Sequence, residues 1–228
     1  MSEAISPSVG RGVLHLFCRP TANVRPDAVV NAVHATVAAG GQVVCVNILG
    51  HKADVAFMAM HEDLRELRHL QTALQRAGLD VVDSYVSLTE FSEYTQGMPE
   101  AMLNARLYPD IPPRNHHMPA WCFYPMSKRR GADANWFTLP FEDRSALMHE
   151  HGASGRKFAG RVVQYVTGST GLDDYEWGVT LFAVHPDDLK QVVYTMRFDQ
   201  ASAVYGEFGP FYTGYVVSPE DLAHGLSR

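Results

Sequence analysis

One order of elements occurs twice along this chain, and that order restricts the fold more than any other feature. Residues 12–20 (GVLHLFCRP) alternate apolar positions as a strand does. Residues 26–40 follow as an Ala/Val-rich helix with Asp27 near its start, and residues 42–49 and 55–60 read as two further strands. Leucines at 64, 67, 70 and 74 have helical spacing, with Gly78 as the terminal glycine, and residues 81–88 read as a strand. The order is β-α-β-β-α-β. The second half repeats it, with strand 120–126, helix 140–152 closed by Gly152, a hairpin of 161–167 and 176–183, helix 186–196 and strand 211–217.

Each half has the pattern of a split βαβ, ferredoxin-like unit. The expected class is therefore α+β, a tandem pair of ferredoxin-like halves of the dimeric α+β barrel type. We divide the chain into a first half (12–95), a connecting segment (96–119) and a second half (120–218). Two such units side by side are expected to place helices outside and a ligand space inside.

With 228 residues, 46% hydrophobic and 19% charged, the chain can bury a sizeable core and is not generally disordered. A net charge of −6 gives no global attraction to nucleic acid or to an anionic membrane, so an anionic ligand needs a local basic pocket. Cys18, Cys45 and Cys122 are too scattered for a disulfide framework or a zinc site. Residues 1–12 lack the apolar core of a signal peptide, and the apolar stretch 37–49 is broken by Gly40, Gly41 and Gln42. The expectation is a cytoplasmic protein that does not insert into membranes.

Strand alternation puts Tyr124, Met126 and Lys128 on one face of WCFYPMSKRR. These residues read either as a polar pocket wall or as a core aromatic followed by a solvated basic turn, and Pro125 argues for an edge or a bulge. In HEHG, His149 and His151 do not share a helix face, which makes a poor bidentate metal site. His151 beside Gly152 reads either as a helix-end histidine favoured by the dipole or as a single axial ligand to haem iron. His116 and His117 read as surface residues. Gln164 lies on the face opposite Tyr165, where it needs a hydrogen-bond partner or a cavity. Arg197 could clamp a carboxylate or pair with Asp199 or Glu207, and Asp173, Asp174 and Glu176 read as a solvated acidic turn. No G-x-G-x-x-G, P-loop or G-x-S-x-G is present, which leaves nucleotide chemistry and serine hydrolysis unsupported.

The stretches FYPMSKRR, NWFTLPFEDRSALMHEHG, GRKFAGRVVQ, GSTGLDDYEWGVTLFA and MRFDQASAVYGEFGPFYTG, with SYVSLTEFSEY in the first half, resemble the coproheme decarboxylases of the chlorite dismutase superfamily. The resemblance implies conversion of iron-coproporphyrin III into haem b. Two propionates become vinyl groups with release of carbon dioxide, and hydrogen peroxide is the oxidant. It implies Tyr124 as the radical-forming residue, Lys128 as a propionate holder beside it, His151 as the proximal iron ligand and Gln164 on the distal side. Arg106, Arg197 and Ser202 match propionate contacts, Tyr85 and Met126 match positions of the same kind, and Trp136 matches a tryptophan near the site. A homo-oligomer, a pentamer, is implied as well. The competing functions are a haem peroxidase or chlorite-degrading enzyme, disfavoured by a neutral Gln164 where an arginine is needed, and a non-catalytic haem carrier.

Overall fold

A computed structural model describes residues 3–95, 97, 99–113 and 117–227. The first half contains β1 (Gly12–Pro20), α1 (Pro26–Ala38), β2 (Gln42–Leu49), β3 (Val55–His61), α2 (Leu64–Arg76) and β4 (Leu79–Leu88). After α3 (Glu100–Leu107) come β5 (Ala120–Lys128), α4 (Phe141–Arg156), β6 (Val162–Gly168), β7 (Trp177–Ala183), α5 (Pro186–Met196), the single turn α6 (Gln200–Ala203), β8 (Gly206–Phe208), β9 (Tyr212–Val217) and α7 (Pro219–Leu226). The class is the expected α+β.

Local chemistry sets the helix ends. Asp63 caps α2, its side chain accepting from the Arg65 amide at 3.0 Å. Gly78 ends the same helix at φ +95°, where a Cβ would also lie 2.7 Å from the Val24 backbone. The stretch SPED starts α7, with the Ser218 hydroxyl accepting from the Asp221 amide at 3.0 Å and Pro219 in the first turn.

The strands run β7-β6-β4-β1-β3-β2-β9-β5-β8, and β5 also pairs with β7. That last pairing closes eight strands into a barrel, with β8 extending β9's side of β5. Two seams join the halves. β2 and β9 share five registered pairs, Cys45↔Val217 to Leu49↔Thr213. β4 and β6 meet only at Leu88↔Gly168, where side chains supplement the ladder: Ser87 Oγ to Thr167 Oγ1 at 2.8 Å, and the Tyr85 hydroxyl on Ser169.

The barrel interior corrects one expectation. Phe17, Met58, Met60, Tyr85, Trp121, Phe123 and Phe182 fill it, drawn from both halves and each 3% exposed or less. Side chains of this size leave no ligand space inside a barrel of eight strands. Two further apolar layers lie outside. In the first half, Leu67, Leu70 and Leu74 of α2, Val29 and Val33 of α1 and Leu222 of α7 cover Leu14, Leu16 and Phe57. In the second, Leu189 and Val192 of α5 and Phe158 pack on Cys122, Tyr124, Val179 and Leu181.

Two local readings also change. Pro125 lies on an interior strand, not an edge. It falls where β5's neighbour switches from β9 (Phe123↔Tyr212) to β8 (Met126↔Phe208), and its carbonyl accepts from Gly209 N at 2.8 Å. The missing N–H therefore costs no ladder bond. Helix α4 does not stop at Gly152. That glycine is not among those with positive φ, whereas Gly160 beyond the helix is. Among the described residues, no helix is long and apolar enough to cross a membrane.

Candidate active site

The outer face of the second-half sheet carries most of the side chains singled out from the sequence. Register fixes them in rows. Gln164 lies opposite Leu181, which lies opposite Cys122, and Val166, Val179 and Tyr124 form the next row. Gly168, Trp177, Met126 and Phe208 form the third. All face away from the barrel, because side chains on a strand alternate.

Helix α4 packs chiefly on α5 and α6. Of its 16 residues only Ser154 is buried. On the sheet opposite, Gln164 is exposed and Val166 is 46% exposed.

His151 projects from α4 at this level. Its Nδ1 is 3.2 Å from Asp199 Oδ2 and 3.4 Å from the Ser202 hydroxyl. Asp199 is 4% exposed and accepts from the Ser154 hydroxyl at 2.7 Å. An aspartate at the N-cap of α6 would ordinarily bond that helix's amides. Here the carboxylate makes no cap bond and serves α4 instead. A carboxylate 3.2 Å from Nδ1 favours the tautomer with the proton there, which leaves the Nε2 lone pair for a metal. Burial first, then the nearby Lys128 charge, lowers the His151 pKa, while Asp199 pulls it back up. The neutral ring required of a ligand is thereby favoured.

Lys128 ends β5 on the same face as Tyr124, as the alternation predicts. It is 7% exposed, donates to the Ala201 carbonyl at 2.5 Å and lies 4.4 Å from the centre of the Trp136 ring. Burial lowers its pKa to about 8, against the opposing pull of Glu176. Trp136 is 2% exposed and has Tyr205 edge-on at 5.3 Å. Tyr124 is 7% exposed and stacks on Phe211 at 4.4 Å, and burial pushes its phenol well above the usual range. Met126 is partly buried in the same layer.

Lys128, Trp136, His151 and Ser202 thus converge, with Tyr124, Met126 and Gln164 on the facing sheet. Ser202 meets His151 directly. Arg197, at the end of α5, is exposed and makes no ion pair among the described residues; Asp199 serves His151, and Glu207 lies 3.8 Å from Arg129. Arg106 is exposed in the last turn of α3. Tyr85 is apart from this group. It lies inside the barrel against Phe123, 5.3 Å between ring centres, with its hydroxyl on Ser169. His149 and His117 are exposed, and His116 lies outside the described residues. The acidic turn is not wholly solvated, since Glu176 is 7% exposed and accepts from the Lys128 amide at 2.8 Å. Sequence reasoning missed Ser154, although its position three residues after His151 places it on the same helix face.

The chain belongs to the chlorite dismutase family, whose pattern matches residues 26–217. It is 40% identical to the coproheme decarboxylase of Staphylococcus carnosus, across 97% of this chain and 98% of that protein. A putative heme-binding protein of Natronomonas pharaonis is 44% identical over 78% of this chain, which is 32% of that longer protein. Among solved structures, a heme-binding protein from Thermus thermophilus is 34% identical and superposes with a TM-score of 0.84, covering 99% of this chain and 100% of that one. Chlorite dismutase from Candidatus Nitrospira defluvii shares the fold at 19% identity, with a TM-score of 0.76 and 97% of both chains covered.

Proposed function

We propose that this chain is a peroxide-dependent coproheme decarboxylase that turns iron-coproporphyrin III into haem b. The observation that carries the reading is His151 of α4 paired with the buried Asp199, together with the sheet face bearing Tyr124, Lys128 and Gln164. Full-length likeness to a protein of that name supports it. The domain assignment follows, with the porphyrin on the second half (120–218) and segment 96–119 joining it to the first half (12–95).

The donor set suits the substrate. His151 Nε2 would ligate iron, and Gln164 would stand on the opposite face of the ring. Lys128, Arg106 and Arg197 supply positive charge to a ligand with four carboxylates, and Ser202 adds a hydroxyl. Bound, the iron draws two oxidising equivalents from each peroxide. Tyr124, whose phenol stays protonated at working pH, gives up an electron together with its proton. The resulting radical takes a hydrogen atom from the β-carbon of a propionate held by Lys128. Loss of one more electron releases carbon dioxide and leaves a vinyl group. For each propionic acid side chain, one peroxide is consumed and one carbon dioxide and two waters form. Two such rounds give haem b. Neutral Gln164 lacks the charge that stabilises oxygen anions, which argues against chlorite as substrate. On this reading the chain acts in the cytoplasm as a homo-oligomer, a pentamer by the family resemblance.

The test is mass spectrometry of the porphyrin after iron-coproporphyrin III, then small steps of peroxide, are added to the purified protein. Stepwise loss of two formic-acid equivalents supports the reading. Tight binding with bleaching alone would favour a carrier or a general peroxidase, and absence of binding would refute a porphyrin function altogether.

A further inference from the structure

Beside the proposed porphyrin site, the Glu90 carboxylate has no partner of opposite sign among the described residues. Glu90 follows β4 and lays its carboxylate over Gly168, where a Cβ would collide with both carboxylate oxygens. Its Oε1 accepts from Trp177 Nε1 at 3.1 Å. Gly168 and Trp177 belong to the row that continues through Met126, and Lys128 lies just beyond on β5. No cation forms an ion pair with Glu90 among the described residues. Behind it lies a cleft of about 290 Å³ lined by Val9, Leu88, Phe91 and Leu172. Burial against this wall raises the carboxyl pKa, and the Trp177 bond opposes the shift.

Gly168, beneath the acid, and Met126 are two strand spacings apart, about 10 Å, and the base at Lys128 lies two residues, about 7 Å, further along β5. That is the scale of a porphyrin ring. We infer that Glu90 is a specificity-determining residue, which keeps substrate carboxylates away from its corner and directs them toward Lys128, so fixing the in-plane orientation of the ring. The inference rests on the proposed porphyrin site. The other titratable groups around Glu90 are engaged elsewhere: Asp173 with the Val86 amide, Glu176 with the Lys128 amide, Glu93 with Arg144 and Arg11 near Glu62. Asp174 remains in the same turn, so each pH measurement needs the Glu90 variant beside it.

The experiment compares metal-free coproporphyrin III, with four carboxylates, and metal-free deuteroporphyrin IX, with two. Binding is read by porphyrin fluorescence at pH 6 to 8.5 and low salt, in wild type, E90Q and W177F. At pH 8, E90Q is expected to shift the affinity ratio about three- to tenfold toward the four-carboxylate ligand, an effect that added salt reduces. W177F keeps the charge and is expected to keep the wild-type ratio. If E90Q leaves the ratio unchanged, or W177F reproduces E90Q, Glu90 is only a brace for the indole and the inference falls. If the ring binds and is decarboxylated but the ratio does not respond, only this inference fails; if neither porphyrin binds, the functional reading fails with it.

Discussion

Replacing Asp199 by Asn tests how the site prepares its histidine. The substitution keeps volume and removes charge from a group that is 4% exposed, 3.2 Å from His151 Nδ1 and 2.7 Å from the Ser154 hydroxyl. A hydrogen bond to a charged partner contributes about 1.5–3 kcal/mol, so the ligand-free variant should unfold more easily by an amount in that range. The larger consequence concerns the metal. Loss of the carboxylate makes the imidazole a weaker donor, and changes of this kind typically cost about 10–100-fold in metal affinity. Ferric iron loses more than ferrous iron. Each tenfold difference between the two states moves a one-electron potential by about 59 mV, so the haem-loaded variant should have a midpoint raised by about 60–120 mV. Spectroelectrochemical titration of haem-loaded D199N against wild type measures this. S202A removes only the 3.4 Å contact and should shift the midpoint much less. A folded D199N with a midpoint within about 20 mV of wild type would refute the claim that Asp199 tunes His151.

Other outcomes follow from the same geometry. Tyr124→Phe should bind iron-coproporphyrin III as wild type does and release no carbon dioxide with peroxide; normal haem b formation by mass spectrometry would remove Tyr124 from the mechanism. Affinity for coproporphyrin should fall as pH rises through about 8 and above, because a propionate is held by the protonated Lys128, and Lys128→Met should abolish that step in a fluorescence titration. In the ligand-free protein the sign reverses. The unfolded-state lysine keeps its proton to higher pH, so its contribution to stability improves between about 8 and 10.5. Tyr85→Phe breaks the buried bond to Ser169 and leaves that hydroxyl its bond to the Tyr175 carbonyl, so it should cost about 1–2 kcal/mol in denaturant unfolding and leave porphyrin affinity unchanged.

Much of the architecture is legible in local pattern. The leucines at 64, 67, 70 and 74 gave α2 its buried stripe, and the alternation of WCFYPMSK gave the shared face of Tyr124, Met126 and Lys128. Closure of the barrel is not legible. It depends on pairings between residues far apart in the sequence, such as Leu88↔Gly168 and Ile48↔Gly214, and no periodicity encodes a partner. Tyr85 entered only through the family resemblance, and pattern alone does not show that its ring lies in the barrel core. By sequence, Asp199 and Glu207 read as partners for Arg197. The placement of α6 beside α4 instead gives Asp199 to His151 and leaves Glu207 57% exposed near Arg129. The short α6 and β8 escaped notice because elements of four and three residues carry too little pattern.

The two halves repeat one plan, yet their outer faces are used differently. In the first, leucines of α2 with residues of α1 and α7 pack on the sheet, whereas in the second only Ser154 of α4 is buried. Natural variation should divide along that line. Changes beneath α2 will be seen as altered protein abundance with unchanged rate per molecule, and changes beneath α4 as altered rate at normal abundance. A duplicated fold with this asymmetry can explore new reactions on one copy while the other maintains the folded state.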